Sequence, residues 1–512
     1  MRLGELKELL APCQARGEWP GGEIAGLAYD SRLVEPGVVF FALRGQAADG
    51  HRFLAQAQAA GALAAVVQTP AALDLPQLVV ADSRRALALA AHQFHRQPSL
   101  RLRLVGVTGT NGKTTLAYLS RSLLEQEGPA GLISTILTAW PGESLPSALT
   151  TPESLDLAGL LARMAAAGAR GAALEASSHA LCQHRVTGTL LDVGVFTNLS
   201  RDHLDFHGDM DTYYAAKCLL FSQILPASRA AGKDPRAVIC LDDPRGAELA
   251  VLGRDQGLTV LTYGFHPAAQ VRGREPVSTL DGGSCLVSFP GGEMTLATSL
   301  VGGYNLQNLL GGAAVGLALG LSPEKITRGL AGVSRVPGRL ERVGRGLPAV
   351  FVDYAHTDQA LAGVLASLRP LTRGRLLCVF GAGGDRDQGK RPLMGLAVGR
   401  GADLAVLTSD NPRTEEPGAI LDMIEPGLAE AGFSPAGAEP ADKTYLREPD
   451  RARAIHRAVT LARPGDVVVI AGKGHEDYQI VGREKRHFDD REVAAAALAA
   501  RPAGEEGAHA AS

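Results

Sequence analysis

The strongest chemical signal in the chain is the run Val107-Thr108-Gly109-Thr110-Asn111-Gly112-Lys113-Thr114-Thr115. It follows the apolar stretch Leu102–Val107 and opens a segment of helical character at about Lys113. A glycine-rich turn between strand and helix aims backbone N–H groups at phosphate oxygens, and the helix N-terminus adds its dipole. Lys113 can reach the β- and γ-phosphates, and the Thr114 hydroxyl is placed to ligate magnesium. A generic phosphate loop asks for glycine five positions before Gly112, where Val107 stands, so the shorter GTNGKTT form is the one that fits. The alternative is a plain β–α turn with an exposed lysine. The flanking strand and helix and the Lys-Thr-Thr ending favour nucleotide binding.

Such a loop needs a parallel sheet behind it, and the rest of the chain supplies the pattern. Apolar β-rich runs alternate with Ala/Leu-rich helical stretches, as in strands joined through crossover helices. Strands are expected at Gly37–Leu43, Ala64–Val67, Leu102–Val107, Gly171–Leu174, Val193–Phe196, Ala237–Leu241 and Leu258–Tyr263. A helix is expected over Phe53–Ala60. Between Val271 and Leu300 the pattern changes to short strands with turns at Gly282-Gly283 and Gly291-Gly292, an antiparallel insert. After Val336-Pro337-Gly338 a new series begins, with strands at Ala349–Val352, Leu376–Phe380, Leu404–Leu407 and Val467–Ile470. The expected fold is α/β in three domains: a smaller α/β unit over 1–100, a P-loop-type unit with a mostly parallel sheet over 101–336, and a Rossmann-like unit over 337–512. The last ten residues lack apolar periodicity and are expected to fray.

Composition narrows the class. The 512 residues allow about three domains at roughly 100–200 residues each. Charged residues make up 21% and hydrophobic residues 46%, which excludes wholesale disorder. A net charge of −3 removes the broad basic surface that non-specific nucleic-acid binding requires. No run approaches the roughly 20 apolar residues that span a bilayer. The six cysteines are scattered without a CxxC pair, which fits a reducing cytoplasm better than a disulfide scaffold or a zinc ribbon.

The GTNGKTT form resembles the Mur ligases, the ATP-dependent amino-acid-adding enzymes of bacterial cell-wall precursor synthesis. Further motifs follow in the same order over nearly the whole chain: Asp30-Ser31-Arg32 with Pro36-Gly37, Thr150-Thr151-Pro152-Glu153, Glu175-Ala176-Ser177-Ser178-His179 and Thr197–Asp205. After them come Asp353-Tyr354-Ala355-His356, Gly383-Gly384-Asp385-Arg386-Asp387, Asp410-Asn411-Pro412-Arg413 and Gly472-Lys473-Gly474-His475-Glu476. Within the family the chain is most similar to the type that adds the third peptide residue to a UDP-muramoyl dipeptide. The resemblance implies amide formation driven by ATP. A carboxylate takes the γ-phosphoryl group to give an acyl phosphate, and an amine then displaces phosphate. Both steps gather negative charge on oxygen, so cations and fixed dipoles matter more than a nucleophilic side chain.

The resemblance also implies roles. Gly109, Thr110, Asn111, Gly112, Lys113, Thr114 and Thr115 would cradle the triphosphate, with Lys113, Glu175, His203 and Lys217 in catalysis. Thr114, Glu175, His203 and a carbamylated Lys217 would place magnesium, carbon dioxide supplying the carbamate. Read alone, Glu175 is a strand-end cap, His203 a loop histidine and Lys217 a solvated helix lysine. Asn305, Arg339 and Asp353 would meet adenine, phosphate and ribose. Ser31, Gln46, Ala47 and Ala48 would hold the UDP end, and Thr150, Thr151, Ser177, Gln183 and Arg185 the muramoyl-dipeptide end. Hydroxyls and an arginine suit a ligand rich in phosphate and carboxylate, although single Ser and Thr residues also serve routine turns and caps. Leu149 departs from the family, which often has asparagine before this threonine pair.

For the incoming amino acid, the resemblance points to Arg386, Asp410, Asn411, Pro412, Arg413, Gly472 and Glu476. Meso-diaminopimelate differs from lysine by a carboxylate at its far end, which calls for an additional cation; Arg413 can supply it in bidentate form. By itself Asp-Asn-Pro-Arg is also a good turn. The alternatives are a lysine-adding ligase, a folylpolyglutamate synthetase and a catalytically silent nucleotide sensor. Arg413, the Asp30-Ser31-Arg32 motif and the five intact residues Lys113, Thr114, Glu175, His203 and Lys217 count against them in turn. The implied protein is a cytoplasmic monomer acting on small molecules, with no nucleic-acid or membrane partner.

Overall fold

In the computed structural model the alternating runs become strands joined by helices, and residues 1–19, 21–45, 48–346, 348–437 and 440–501 are described. The chain forms two compact units. The first comprises Met1–Gly273, Ser288–Met294 and Leu310–Leu330; the second comprises Arg274–Val287, Thr295–Leu309 and Ala331–Ser512.

The first unit begins with a five-stranded sheet in the order Gln14–Arg16, Gln77–Val79, Ala64–Val67, Val38–Phe41, Gly26–Ala28. Only Gln14–Arg16 runs antiparallel to its neighbour. Val38–Phe41 is buried along its whole length because both faces of the sheet are covered. Val39 and Phe41 pack with Leu78 and Leu87, while Val38 and Phe40 pack with Leu54 and Val67. That is why the run is continuously apolar rather than alternating.

The larger sheet of this unit has a parallel core in the order Ala130–Ile133, Gly171–Glu175, Arg103–Thr108, Val193–Phe196, Arg236–Cys240, Thr259–Gly264. Leu137–Trp140 and Glu143–Pro146 add antiparallel edge strands. Register decides what meets at the carboxyl ends. Glu175 is level with Val107, and Phe196 with Thr108. The segments after all three strands therefore emerge together, at the place where strand order reverses in an open α/β sheet.

The expected insert is three strands, Val271–Thr279, Gly282–Phe289 and Gly292–Thr298, whose residues fall partly in each unit. The tight turns lie two residues and one residue earlier than expected, at Leu280-Asp281 and Pro290-Gly291. Gly282 instead opens a strand at φ +136°, where a Cβ would run into the Thr298 carbonyl.

The second unit is built on a sheet in the order Glu341–Val343, Ala349–Asp353, Val467–Ala471, Leu376–Phe380, Leu404–Leu407, Thr444–Arg447, Ser434–Pro435. All neighbours are parallel except Glu341–Val343. Asp353 is level with Ala471 and Phe380 with Leu407, so the loops beginning at Tyr354, Gly381, Thr408 and Gly472 leave the same end. Behind them lies a buried ion pair. Arg451 donates through Nε and Nη2 to the two oxygens of Asp490, at 2.7 Å each, and both side chains are fully buried. The same guanidinium donates to the carbonyls of Ser409 and Ala471, the residues just before Asp410 and Gly472. Removing one partner of such a pair costs about 3–5 kcal/mol, and here it would also release two loops. Among the described residues no helix is long and apolar enough to cross a membrane.

Candidate functional site

The GTNGKTT loop joins Arg103–Thr108 to the helix Lys113–Leu124, with Gly112 as its left-handed N-cap. The segment after Val193–Phe196 supports it. Thr197 Oγ1 donates to the Asn111 carbonyl at 2.6 Å, and the Asn111 amide donates to Asn198 Oδ1 at 2.9 Å. Thr110 Oγ1 accepts from the Ser200 amide at 3.0 Å and lies 3.2 Å from the Tyr213 hydroxyl. Lys113 is folded back on the loop, its ammonium donating to the carbonyls of Thr110 at 2.7 Å and Gly109 at 3.0 Å. Thr114 and Thr115 are buried beneath. Gly109 sits at φ +147°, and a Cβ there would collide with Thr197 Oγ1. Gly109→Ala is accordingly expected to weaken ATP binding about 5- to 150-fold, since backbone strain of about 1–3 kcal/mol falls on the loop itself. ATP titration with a melting control measures it; unchanged affinity would show that the loop does not hold phosphate.

Glu175 ends the neighbouring strand fully buried. Its two oxygens are fixed by one residue, Thr135: the amide donates to Oε1 at 2.7 Å and the hydroxyl to Oε2 at 3.2 Å. Thr135 Oγ1 also lies 3.1 Å from Thr150 Oγ1. Thr151 Oγ1 donates to the Glu175 carbonyl and accepts from the Ser177 amide. Ser177 caps the short helix Ser178–Cys182. Arg185 donates to the Thr151 carbonyl at 3.0 Å and to Gln183 Oε1 at 2.7 Å. It is also paired with Glu153 at 3.0 Å, and Arg84 takes the other Glu153 oxygen at 3.1 Å. Thr150, Thr151, Ser177, Gln183 and Arg185 thus form one hydrogen-bonded neighbourhood. Leu149 is exposed.

His203 has a left-handed backbone (φ 52°) and lies 3.4 Å from an Asp202 oxygen. Its ring meets His179 edge-on at 4.8 Å between centroids, and His179 stacks on Phe206 at 4.1 Å. Burial, with help from His203 and His207, pushes His179 down to about 4. Lys217 stands on the helix Met210–Leu219 and is only 1% exposed, its ammonium 4.1 Å from the centre of the Tyr213 ring. A solvated helix lysine, the reading of this residue taken alone, is not what the fold holds: burial first, then the Lys113 charge, keeps this amine well below the ordinary lysine value.

Of the donors read from sequence, the buried Thr114 hydroxyl and the buried Glu175 carboxylate offer the oxygens that magnesium prefers, Lys217 would offer them only as a carbamate, and the His203 imidazole is a poorer ligand. Among the described residues no three His, Cys, Asp or Glu side chains converge as a metal set. The expected set contributes only Glu175 and His203 of those types.

In the first unit's N-terminal sheet, Ser31 Oγ donates to Gln56 Oε1 at 3.1 Å, and Ala48 is exposed. Gln46 and Ala47 lie outside the described residues.

The remaining candidates are in the second unit. Asn305 is buried; its Nδ2 donates to the Val301 carbonyl at 2.8 Å and its Oδ1 accepts from Asn308 at 3.1 Å. The Arg339 guanidinium lies 5.0 Å from the Tyr354 ring centre. Asp353 accepts from the amides of Leu340 and Ala355, while burial raises its carboxyl above the usual range. The amino-acid candidates are closely assembled. Asn411 Nδ2 donates to Glu476 Oε2 at 3.0 Å, and Gly472 runs against Asp410. Arg413 donates to the Gly384 carbonyl at 2.7 Å. A Cβ on Gly383 would lie 3.1 Å from Arg413 Nη1 and 3.7 Å from Arg386 Cγ, so the two arginines flank one backbone position. Pro412 is buried in the turn between them, and Arg386 is exposed. The Gly383–Asp387 loop is anchored by Arg391, which grips Glu415 at 2.8 Å through both nitrogens, lowering that carboxyl to about 2.

Sequence reasoning missed Thr135, Arg84 and Lys473 as members of these clusters. Thr135 stands alone outside any motif, whereas Lys473 lay within a quoted motif and its burial was the missing fact.

Three family matches cover the chain: the Mur ligase family catalytic domain over residues 23–95, the Mur ligase middle domain over 107–316, and the Mur ligase glutamate ligase domain over 338–474. A UDP-N-acetylmuramoyl-L-alanyl-D-glutamate–2,6-diaminopimelate ligase of Geobacter metallireducens is 45% identical over 508 residues, 97% of this chain and 98% of that protein. The protein of the same name from Gloeobacter violaceus is 47% identical over 487 residues, 94% of this chain and 95% of its own. A solved structure of a ligase of that name has a TM-score of 0.70 at 31% identity, covering 98% of this chain and 99% of its own.

Proposed function

The chain belongs to the Mur ligase family, and on that premise we propose that it joins meso-diaminopimelate to the D-Glu γ-carboxylate of UDP-N-acetylmuramoyl-L-alanyl-D-glutamate. The reaction consumes ATP and releases ADP and phosphate. Residues 1–100 serve the UDP end, 101–336 the ATP phosphates, and 337–512 the amino acid. The observation that carries the reading is the assembly of Arg386, Arg413, Asn411 and Glu476 around the Asp-Asn-Pro-Arg turn. It offers cations for the far-end carboxylate of diaminopimelate and an anion for its ammonium.

The chemistry follows from the residues. Lys113 exchanges its loop carbonyls for phosphate oxygens and offsets charge as the γ-phosphoryl group moves to the substrate carboxylate. Backbone N–H groups at the start of the helix Lys113–Leu124 hold the remaining phosphates. Arg185, with Thr150, Thr151, Ser177 and Gln183, keeps the dipeptide carboxylate in line. Asn305, Arg339 and Asp353 serve base, phosphate and ribose, and Ser31, with Gln46, Ala47 and Ala48, serves the UDP end. Thr114, Glu175, His203 and Lys217 as its carbamate would hold magnesium, which when bound supplies further neutralisation of phosphate charge. Thr135 fixes both oxygens of Glu175 for that purpose. The same reading makes the protein a cytoplasmic monomer, since ATP and UDP-linked precursors occur there and one chain carries every residue named.

The test is ADP release by the purified chain with UDP-muramoyl dipeptide, offering diaminopimelate and lysine in parallel. ADP release is expected with diaminopimelate only. Equal use of lysine would overturn the specificity, and no ADP with either amino acid would leave a nucleotide sensor.

A further inference from the structure

Lys473 is fully buried in the second unit beneath the residues assigned to the incoming amino acid. Its ammonium lies 3.1 Å from Asn411 Oδ1, 3.4 Å from Glu476 Oε2 and 3.8 Å from Asp410 Oδ1. The Tyr478 ring centre is 5.6 Å away. Asn411 is thereby locked in one orientation. Its Oδ1 accepts from Lys473 and from the Ile480 amide at 2.9 Å, so its Nδ2 must face Glu476, to which it donates at 3.0 Å. A lysine ammonium has donors only, so a flipped carboxamide would bring two sets of donors together.

We propose that Lys473 is a positioning residue for recognition of the amino acid's far-end ammonium, acting by fixing Asn411 and orienting Glu476. The inference rests on the reading of this cluster under Proposed function. Lys473 and Asn411 both bind Glu476 Oε2, which turns Oε1 toward the ligand's ammonium. One buried cation also offsets the two carboxylates of Asp410 and Glu476. Without it the two carboxylates face each other with no cation between them. Burial pulls the Lys473 amine below its ordinary value, and Asp410 and Glu476 act against that pull. The cation is therefore kept by the very groups it positions.

The experiment uses the full chain carrying Lys473→Met, which keeps side-chain length and removes the charge. KM is measured for diaminopimelate, ATP and UDP-muramoyl dipeptide, with kcat alongside. The expected result is a rise of at least about tenfold in the diaminopimelate KM, the scale of one lost charge-assisted hydrogen bond. The other two KM values should stay within about twofold. An unchanged diaminopimelate KM, or an equal rise for all three substrates, would overturn the proposal. If the methionine variant does not fold, Lys473→Gln is read by the same ratios with the same outcomes. The unsubstituted protein separates the two levels: its failure to use diaminopimelate defeats the functional reading, whereas normal use with an unaffected variant defeats only the role of Lys473.

Discussion

Lys217→Ala is expected to lower ligation by about 10²–10³-fold in kcat, the scale on which removing one preorganised charge-stabilising group acts. The reasoning begins with cost. A lysine enclosed at 1% exposure, against an aromatic ring and near a second lysine, pays heavily for its ammonium form. Its neutral amine can attack carbon dioxide, which an ammonium cannot, and the product is an anion where a cation was disfavoured. On this reading alanine would remove that anion and leave space in its place. A short carboxylate such as acetate, supplied at high concentration, is expected to restore part of the activity by filling the space with the missing oxygens. Incubation with 13C-bicarbonate should give a carbamate resonance in the unsubstituted protein that is absent from the variant. Near-normal turnover of Lys217→Ala, with its melting behaviour unchanged, would remove the lysine from the mechanism.

Arg413→Ala is expected to raise the KM for diaminopimelate about 10- to 100-fold while leaving that for ATP within about twofold, as the loss of a charged contact worth roughly 1.5–3 kcal/mol requires. The fold makes this substitution clean. The backbone of Arg413 is fixed by its own hydrogen bonds, its amide donating to the Ile480 carbonyl at 3.1 Å and its carbonyl accepting from Gly482 at 2.7 Å. Its φ of 51° is costly for alanine and arginine alike, so the turn should survive while the guanidinium is lost. Lysine, which lacks the far-end carboxylate, should be used no worse than before. An equal rise in the ATP and diaminopimelate KM values would mean that the arginine has been misassigned.

The expected strands Ala64–Val67, Val193–Phe196, Leu376–Phe380 and Leu404–Leu407 have the residue bounds read from sequence. A strand buried on both faces needs an unbroken apolar run, and such a run ends visibly at its polar flanks. The strands Glu143–Pro146 and Glu484–His487 were not legible: both are exposed throughout and carry no hydrophobic pattern. The turns of the insert were displaced because a glycine pair marks close approach as readily as it marks a turn.

The sequence by itself determined the chemistry on offer: a phosphate loop, a set of oxygen and nitrogen donors, and an arginine suited to a carboxylate. Spacing and residue type suffice for that, because a loop of seven contiguous residues is a local object. Only the tertiary structure decided which distant residues support those groups and how far burial bears on their charge. Thr135 reaches Glu175 across 40 positions and Lys473 reaches Asn411 across 62. Lys217 changes from a solvated cation to an enclosed amine solely through what packs over it. Burial and long-range pairing are properties of the folded chain, and the energy of a charge depends on them more than on the residue that carries it.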